Sequence, residues 1–188
     1  DIPLNPPSLA LGAQATFVAR TIDRWQAHLS QMLERSYHHD GGSLIEIYQN
    51  CNIFNDGAFE IFTEKSTKQV HGLFVEQGKP LTFGANGEKG IRFDGMRPEV
   101  VEIGDKYSAD DMWIHDEKDF YKAQILTRLF DNPSEEGAVF PRPFGIFYTN
   151  DRPCYEDMMA LQIEEAMTSK GPGDLDKLIR GKETWEIK

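Results

Sequence analysis

The chain has 188 residues, enough for one domain with a sizeable core, and a formal net charge of −11 at pH 7. This acidity argues against nucleic-acid binding, which needs a basic surface. No run of residues approaches the roughly 18 apolar positions that a membrane-spanning helix requires, so no membrane insertion is expected.

The two cysteines, Cys51 and Cys154, are far apart and suggest no disulfide framework, so a reducing, cytoplasmic location is expected. The chain begins at Asp1 without an initiator methionine or a signal-peptide pattern. We therefore expect a processed chain or one piece of a larger polypeptide.

The first fifty residues predict a parallel strand–helix–strand unit. A short helix capped by Ser8 precedes an apolar strand at 15–20, and a helix opens at Thr21 or Asp23. Two glycines end that helix, and a strand at 44–48 follows, expected to be buried on both faces. Two strands joined by a helix within about thirty residues are typical of a βαβ crossover in a parallel sheet. The apolar residues with helical spacing are Ile22, Trp25, Leu29, Met32 and Leu33.

The middle of the chain predicts shorter elements. Residues 58–67 are ambiguous and fit a short helix, whereas 73–84 resembles a hairpin of two short strands. Further strands are expected at 90–93 and 100–103, and 107–116 is acidic and irregular.

The last third predicts three helices, at 119–131, 156–167 and about 175–179. Residues 138–148 contain two prolines, so we expect an extended segment outside the centre of a sheet. These patterns divide the chain into an α/β core at 1–104 and a C-terminal extension at 105–188 that wraps on it.

Cys51 is the strongest candidate for chemistry. It lies between Asn50 and Asn52, just after the strand at 44–48, and ligands of open α/β sheets bind outside the carboxyl ends of the strands. A cysteine there can be a core residue, a nucleophile or a metal ligand. A zinc or iron–sulfur site needs about four ligands, so any co-ligands of Cys51 have to come from other polypeptide.

The remaining candidates favour structural interpretations. Residues 38–40, His-His-Asp, precede two glycines and fit a helix C-terminus. Residues 115–117, His-Asp-Glu, could form an acid–base set but fit better as a solvated acidic loop with a helix cap. Cys154 has no partner at metal-ligand spacing. No catalytic residue is assigned.

Several segments together resemble the β subunit of the 2-oxoacid:ferredoxin oxidoreductases, closest to the 2-oxoglutarate branch. The most specific is 48–55, Tyr-Gln-Asn-Cys-Asn-Ile-Phe-Asn, and the resemblance covers nearly the whole chain. The supporting segments are 5–13, 15–20, 88–91, 113–117, 143–146, 152–156 and 184–185.

The resemblance implies the C-terminal half of a thiamine-diphosphate-binding, transketolase-like α/β domain, with a parallel sheet flanked by helices and a C-terminal extension. It implies thiamine diphosphate, Mg²⁺ and one [4Fe–4S] cluster as cofactors, with Cys51 as one cluster ligand. The implied activity is oxidative decarboxylation of a 2-oxoacid to an acyl-coenzyme A, with electrons passed to ferredoxin. The implied partners are the α subunit, the N-terminal half of the β subunit, ferredoxin and coenzyme A.

The chain departs from the family in lacking the N-terminal half. It contains neither a Gly-Asp-Gly diphosphate–Mg²⁺ motif nor a Cys-x-x-Cys pair, so no thiamine or Mg²⁺ ligand can be assigned to its residues. Three alternatives stay open: a pyruvate-specific β subunit, a non-catalytic α/β assembly domain, and a cysteine hydrolase with a histidine beside Cys51. Because the chain is acidic, docking of an acidic ferredoxin would need a local basic patch or another subunit.

Overall fold

The structure is a computed structural model that describes residues 4–131, 135–182, 185 and 187. The chain divides into a unit at 1–152 and a unit at 153–188, each described by itself. The expected division at residue 104 stays a prediction. Within the described residues, no helix is long and apolar enough to cross a membrane.

The strand Phe17–Ile22 (β1) organises the first unit, because all six of its residues are buried. It lies inside a four-stranded sheet, next to Ser43–Tyr48 (β2) on one side and Arg142–Thr149 (β7) on the other, and Gly72–Phe74 (β3) follows β7. β2 runs parallel to β1, β7 runs antiparallel to β1, and β3 runs parallel to β7. The predicted parallel strand–helix–strand unit is therefore confirmed.

Helices cover both faces of β1. Phe17 and Ala19 pack with Met32 of the helix Gln26–Tyr37 (α2), whereas Val18 packs with Leu11 of the helix Pro6–Gly12 (α1). Alternate residues of a strand point to opposite faces, so α1 and α2 flank the sheet from its two sides. The predicted α/β class, with a sheet flanked by helices, is confirmed.

The boundaries of the first two helices differ from the prediction. α1 begins at Pro6 instead of after Ser8, because the side chain of Asn5 accepts a hydrogen bond from the Ser8 N–H at 3.1 Å. α2 begins at Gln26, because β1 continues to Ile22.

The remaining elements of the first unit are short. The ambiguous segment at 58–67 contains one short helix, Glu60–Thr63 (α3), and a second short helix, Lys68–His71 (α4), follows it. A second, antiparallel sheet contains Thr82–Phe83 (β4), Lys89–Asp94 (β5) and Arg97–Glu102 (β6). A 3-10 helix at Ala109–Asp111 and the helix Phe120–Leu126 (α5) follow. The predicted hairpin at 73–84 is wrong, because β3 pairs with β7 and β4 pairs with β5.

The prediction that 138–148 lies outside the centre of a sheet is also wrong, because β7 lies between β1 and β3. Pro143 is the second residue of β7, and the pairing with β1 begins only at Gly145, opposite Arg20. Proline is tolerated near a strand start where no ladder hydrogen bond needs its missing N–H.

The second unit contains the helices Tyr155–Lys170 (α6) and Leu175–Arg180 (α7), close to the predicted ranges. Gly171 ends α6 with φ +78°, and the side chain of Asp174 caps α7 by accepting the Lys177 N–H at 3.0 Å.

Gly145→Ala is expected to lower the free energy of unfolding by about 2 kcal/mol. Gly145 has φ +127°, and a Cβ there would lie 2.5 Å from the carbonyl oxygen of Val75, which is backbone and cannot move aside cheaply. Urea titration followed by circular dichroism measures the change. Gly104→Ala is the matched control, since an added Cβ there meets nothing within 4 Å. Equal stabilities of the two variants would contradict the prediction.

Candidate functional site

Cys51 lies in a loop that follows β2 directly; residues 49–57 are called the Cys51 loop below. The loop begins at the carboxyl end of β2, beside the carboxyl end of β1, where ligands of α/β sheets bind. It folds back on itself, because the Asn55 N–H donates to the Cys51 carbonyl at 3.0 Å.

The side chain of Asn50 holds the loop in shape. Its Oδ1 accepts the Gly57 N–H at 2.9 Å, while its Nδ2 donates to Asn52 Oδ1 at 2.7 Å and to Asp56 Oδ1 at 2.8 Å. Gly57 has φ +77°, which a glycine adopts without steric cost. One amide thus fixes both ends of the segment that carries Cys51.

The surroundings of the Cys51 thiol favour its ionised form. The backbone N–H groups of Phe54 and Ile53 lower its pKa most, and that of Asn55 lowers it less; desolvation and the Asp56 carboxylate oppose this shift. The residue is partly exposed and carries no disulfide. Thiolates with low pKa and open access are the form of cysteine that binds metals or attacks electrophiles.

Two apolar side chains that follow Cys51 in the loop are largely exposed in the structure. Ile53 is 84% exposed and Phe54 is 89% exposed. These two neighbouring residues form a small exposed apolar surface beside Cys51.

A cavity of about 310 Å³ opens beside the loop. Asp23 and Arg24 contribute from the end of β1, and Asn50 and Asn52 contribute from the loop. The other lining residues are Phe59, Glu60 and Thr63. The cavity therefore lies at the carboxyl ends of β1 and β2, where the sequence predicts ligand binding.

A cluster of aromatic rings packs around Tyr48, immediately before the Cys51 loop. Tyr48, the last residue of β2, stacks on Phe59 with ring centroids 4.5 Å apart, and Phe62 and Phe144 contact it edge-on or tilted. Burial raises the pKa of Tyr48, which keeps its hydroxyl protonated near neutral pH. This packing fixes where β2 ends and the loop begins.

Cys51 has no co-ligands in the described residues. No group of three or more His, Cys, Asp or Glu side chains there could hold a metal ion. Cys154 lies in the second unit, at the N-cap of α6. Cys51 can therefore supply one ligand, and a cluster would need the others from further polypeptide.

Histidine is not hydrogen-bonded to Cys51 anywhere in the described ranges. The groups that affect the thiol are backbone amides and Asp56, so nothing in this loop supports the hydrolase alternative.

His39 has a bracing role, in line with the structural interpretation of residues 38–40. Its Nε2 shares a hydrogen bond with Thr16 Oγ1 at 2.7 Å, and its Nδ1 lies 3.1 Å from Asp151 Oδ1. A cavity of about 580 Å³ adjoins it, but Arg35 and Glu117 in the lining already pair with each other. Because these two charged groups are already paired, the cavity is a weaker candidate for a catalytic or ligand-binding site than the Cys51 loop.

The sequence predicts a solvated loop at residues 115–117, which is wrong for His115 and Glu117, since both are buried, whereas Asp116 is exposed. Burial lowers the pKa of His115, so the ring is neutral near pH 7 and its Nε2–H donates to the Ile146 carbonyl at 2.7 Å. Glu117 is buried and accepts two hydrogen bonds from Arg35 at 2.7 and 2.9 Å. Both residues cross-link elements of the first unit. The predicted helix cap is present, since Asp119 accepts the Lys122 N–H.

Sequence reasoning missed the buried pair of Arg20 and Glu46 on β1 and β2. Arg20 is 1% exposed, its Nε donates to Glu46, and its Nη1 donates to the Pro143 carbonyl at 3.1 Å. The position of an arginine within an apolar strand could have indicated a buried charge that needs a partner. Its partner lies on another strand, and pattern reasoning along one strand does not reveal it.

Curated relatives of the chain are subunits of 2-oxoacid oxidoreductases. The chain is 36% identical over its full length to the 2-oxoglutarate oxidoreductase subunit KorB of Mycobacterium tuberculosis, and it spans 49% of that protein. It is 23% identical over 154 residues to the β subunit of 2-oxoacid:ferredoxin oxidoreductase 2 of Aeropyrum pernix, covering 77% of the chain and 48% of the relative. The chain thus spans about half the length of these relatives.

A shorter match is to the β subunit of 2-oxoacid:ferredoxin oxidoreductase 1 of Aeropyrum pernix, 38% identical over 53 residues, which is 28% of the chain and 17% of the relative. No protein-family model matches the chain.

A solved structure shares the fold. The chain superposes with a TM-score of 0.57 and 17% identity on a 2-oxoglutarate:ferredoxin oxidoreductase from Magnetococcus marinus, covering 98% of this chain and 46% of that one. That structure holds 2-oxoglutarate, coenzyme A and succinyl-CoA.

Proposed function

Because this chain belongs to the β subunits of the 2-oxoacid:ferredoxin oxidoreductases, as their C-terminal half, we propose that it forms part of a 2-oxoglutarate:ferredoxin oxidoreductase. In the proposed reaction the bond between C1 and C2 of the 2-oxoacid breaks and CO₂ leaves. The acyl carbon loses two electrons and forms a thioester with the sulfur of coenzyme A, whose thiol proton is released to solvent, and two ferredoxins each accept one electron. The observation that carries this proposal is the 36% identity to KorB over the whole chain.

Cys51 is the residue of this chain that we assign to a cofactor, as one ligand of a [4Fe–4S] cluster. Its partly exposed thiol, with a pKa lowered by the N–H groups of Phe54, Ile53 and Asn55, fits a thiolate ligand. When bound, the cluster supplies one-electron transfer. Hydrogen bonds to the ligand sulfur stabilise negative charge there and so tune the potential of such a cluster.

Asn50 has a positioning role in the same proposal. Its bonds to Gly57, Asn52 and Asp56 hold the loop, so that the backbone around Cys51 is fixed before any metal arrives. A preorganised ligand loses less conformational entropy on binding.

Thiamine diphosphate and Mg²⁺ do not fit residues of this chain. The sequence has no Gly-Asp-Gly motif, and the described residues form no group that could hold a metal ion. We assign both to the N-terminal half of the β subunit and derive no step through them. The cavity beside Asn50 and Asn52 is the part of this chain that could border that site.

The substrate assignment rests on the names of relatives. KorB is a 2-oxoglutarate oxidoreductase subunit, and the solved structure that shares the fold is a 2-oxoglutarate enzyme. This favours 2-oxoglutarate over pyruvate. The α subunit, the other half of the β subunit, ferredoxin and coenzyme A complete the proposed set of partners. Two unpaired cysteines are compatible with the reducing cytoplasm.

An activity assay on the assembled enzyme tests the proposal. We expect 2-oxoglutarate to drive reduction of ferredoxin only when coenzyme A is present, at a kcat/KM about tenfold or more above that for pyruvate. Turnover that prefers pyruvate would overturn the substrate assignment. No turnover with either acid, in a preparation that contains both halves of the subunit and its cofactors, would favour the non-catalytic assembly domain.

A further inference from the structure

A half-buried arginine near the Cys51 loop lacks a partner. Arg142 is the first residue of β7, and its Nε is buried without a hydrogen bond in the part of the chain that the structure describes. None of the ion pairs among the described residues involves Arg142. Nearly all buried polar groups in proteins have a partner, so an unpaired one calls for an explanation.

Two aromatic rings hold the guanidinium of Arg142 in place. Its central carbon lies 3.5 Å from the ring centre of Phe130 and 5.9 Å from that of Tyr48. Arginine stacks favourably on aromatic faces, and its planar fork of N–H groups matches the geometry of carboxylates and phosphates. The fork is therefore oriented before a ligand arrives, which reduces the entropy lost on binding.

The charge around Arg142 is unbalanced. The neighbouring cation, Arg20, already pairs with the carboxylate of Glu46. Burial is the main cause that lowers the pKa of Arg142, and the charge of Arg20 acts in the same direction. Two guanidinium groups and one carboxylate leave one positive charge in a partly buried place, within a chain whose net charge is −11. An anion at Arg142 would balance this charge and offset part of its desolvation cost.

Arg142 lies at the same end of the sheet as the Cys51 loop. β7 runs antiparallel to β1, with Gly145 opposite Arg20, so the start of β7 lies beside the carboxyl end of β1. The guanidinium of Arg142 lies over the ring of Tyr48, the last residue of β2, and the Cys51 loop follows Tyr48 directly. Ligands of α/β sheets bind at this end of the strands.

We propose that Arg142 binds the second carboxylate of a dicarboxylic 2-oxoacid, the carboxylate that stays in the acyl product. The inference rests on the proposed function, in which 2-oxoglutarate is the substrate and its C1 carboxylate leaves as CO₂. The C5 carboxylate keeps its charge throughout the reaction, and a guanidinium can hold it with two parallel N–H···O bonds. Pyruvate has no such group, so Arg142 would favour 2-oxoglutarate over pyruvate.

Steady-state kinetics of the assembled enzyme with two matched acids test the assignment. 2-Oxopentanoate has the same carbon chain as 2-oxoglutarate but ends in a methyl group instead of a carboxylate. We expect Arg142→Met to lower kcat/KM for 2-oxoglutarate about 100-fold and to leave kcat/KM for 2-oxopentanoate within about threefold. Arg142→Lys keeps the charge without the fork and should recover about tenfold of the loss. Arg97→Met, at an exposed position that starts β6 in the other sheet, is the matched control and should change neither value.

Thermal unfolding gives a second readout that does not require turnover. A ligand that binds the folded state raises the Tm, so 2-oxoglutarate without coenzyme A should raise the Tm of the parent enzyme. We expect Arg142→Met to lose this increase while its own Tm without ligand stays close to that of the parent, because the substitution breaks no ion pair among the described residues.

Three results would overturn the proposal. Equal losses of kcat/KM for the two acids, with a lower Tm, would indicate that Arg142 holds a carboxylate of the protein. A raised KM for coenzyme A alone would indicate a phosphate ligand. Unchanged selectivity and an unchanged Tm increase would show that Arg142 binds no substrate, while the parent enzyme still turns over 2-oxoglutarate. If the parent enzyme turns over neither acid, the proposed function fails, and the Tm increase alone decides on Arg142.

Discussion

Arg20→Met is expected to lower the free energy of unfolding by about 3 kcal/mol, and hence the Tm by roughly 6–12 °C. The Arg20 side chain is 2% exposed and that of its partner Glu46 is 18% exposed. Methionine approximates the volume of the arginine stem but leaves the half-buried Glu46 carboxylate without its partner. Breaking a buried pair at one end costs more than the pair contributes.

The cost has a second component in the packing around the guanidinium. Its central carbon lies 5.2 Å from the ring centre of Phe147 and 5.5 Å from that of Tyr48, and its Nη1 bonds the Pro143 carbonyl. Arg20 therefore ties β1 to β2 and to the start of β7 at once.

Arg24→Met is the matched control, because Arg24 pairs with Glu64 at 3.6 Å with both side chains more than half exposed. Exposed pairs contribute about 0–1 kcal/mol. Thermal and urea unfolding of the two variants beside the parent measure the difference. Similar decreases in the free energy of unfolding for both substitutions would show that the buried pair stabilises the fold no more than the exposed pair does.

The sequence predicts the parallel unit because that information is local. The helical spacing of Trp25, Leu29 and Met32 and the β-branched run in β2 each report the face that an element buries. The pairing of strands is not local. Pro141 and Pro143 predicted an extended segment outside the centre of the sheet, yet β7 lies between β1 and β3. The miss arises because both strand partners of β7 are distant in sequence.

Some features of the candidate site could also be predicted from the sequence, and others could not. Cys51 between two asparagines at a strand end could be selected from sequence, since residue type and position carry the signal. The hydrogen bonds of Asn50 and the backbone donors at the sulfur depend on loop geometry, so they become visible only in the fold. The burial of His115 and Glu117 was missed for the same reason, because Ile146 and Arg35 come from distant segments.

If Cys51 is a ligand of the proposed four-iron cluster, Cys51→Ala is expected to abolish that cluster in the assembled enzyme. Alanine removes one of about four cluster ligands, and the loop offers no other cysteine to replace it. Iron and acid-labile sulfide should fall to background, the EPR signal of the dithionite-reduced cluster should disappear, and 2-oxoacid-dependent ferredoxin reduction should drop at least about 100-fold.

Folding is expected to survive the same substitution. The residue is partly exposed and packs into none of the three apolar cores of the first unit, so the Tm of the protein moieties should change little. Cys154→Ala is the matched control, because it removes the chain's second cysteine, which lies at the start of α6. It should keep full iron and activity.

Two outcomes would contradict the assignment of Cys51. Full iron together with an unchanged reduction potential in the Cys51→Ala enzyme would return this residue to a structural role, because a four-iron cluster that loses a thiolate ligand cannot keep both its composition and its potential. Equal iron loss in both cysteine variants would point to general instability instead of ligation. Iron loss confined to Cys51→Ala, with a Tm equal to that of the parent, would assign the ligand.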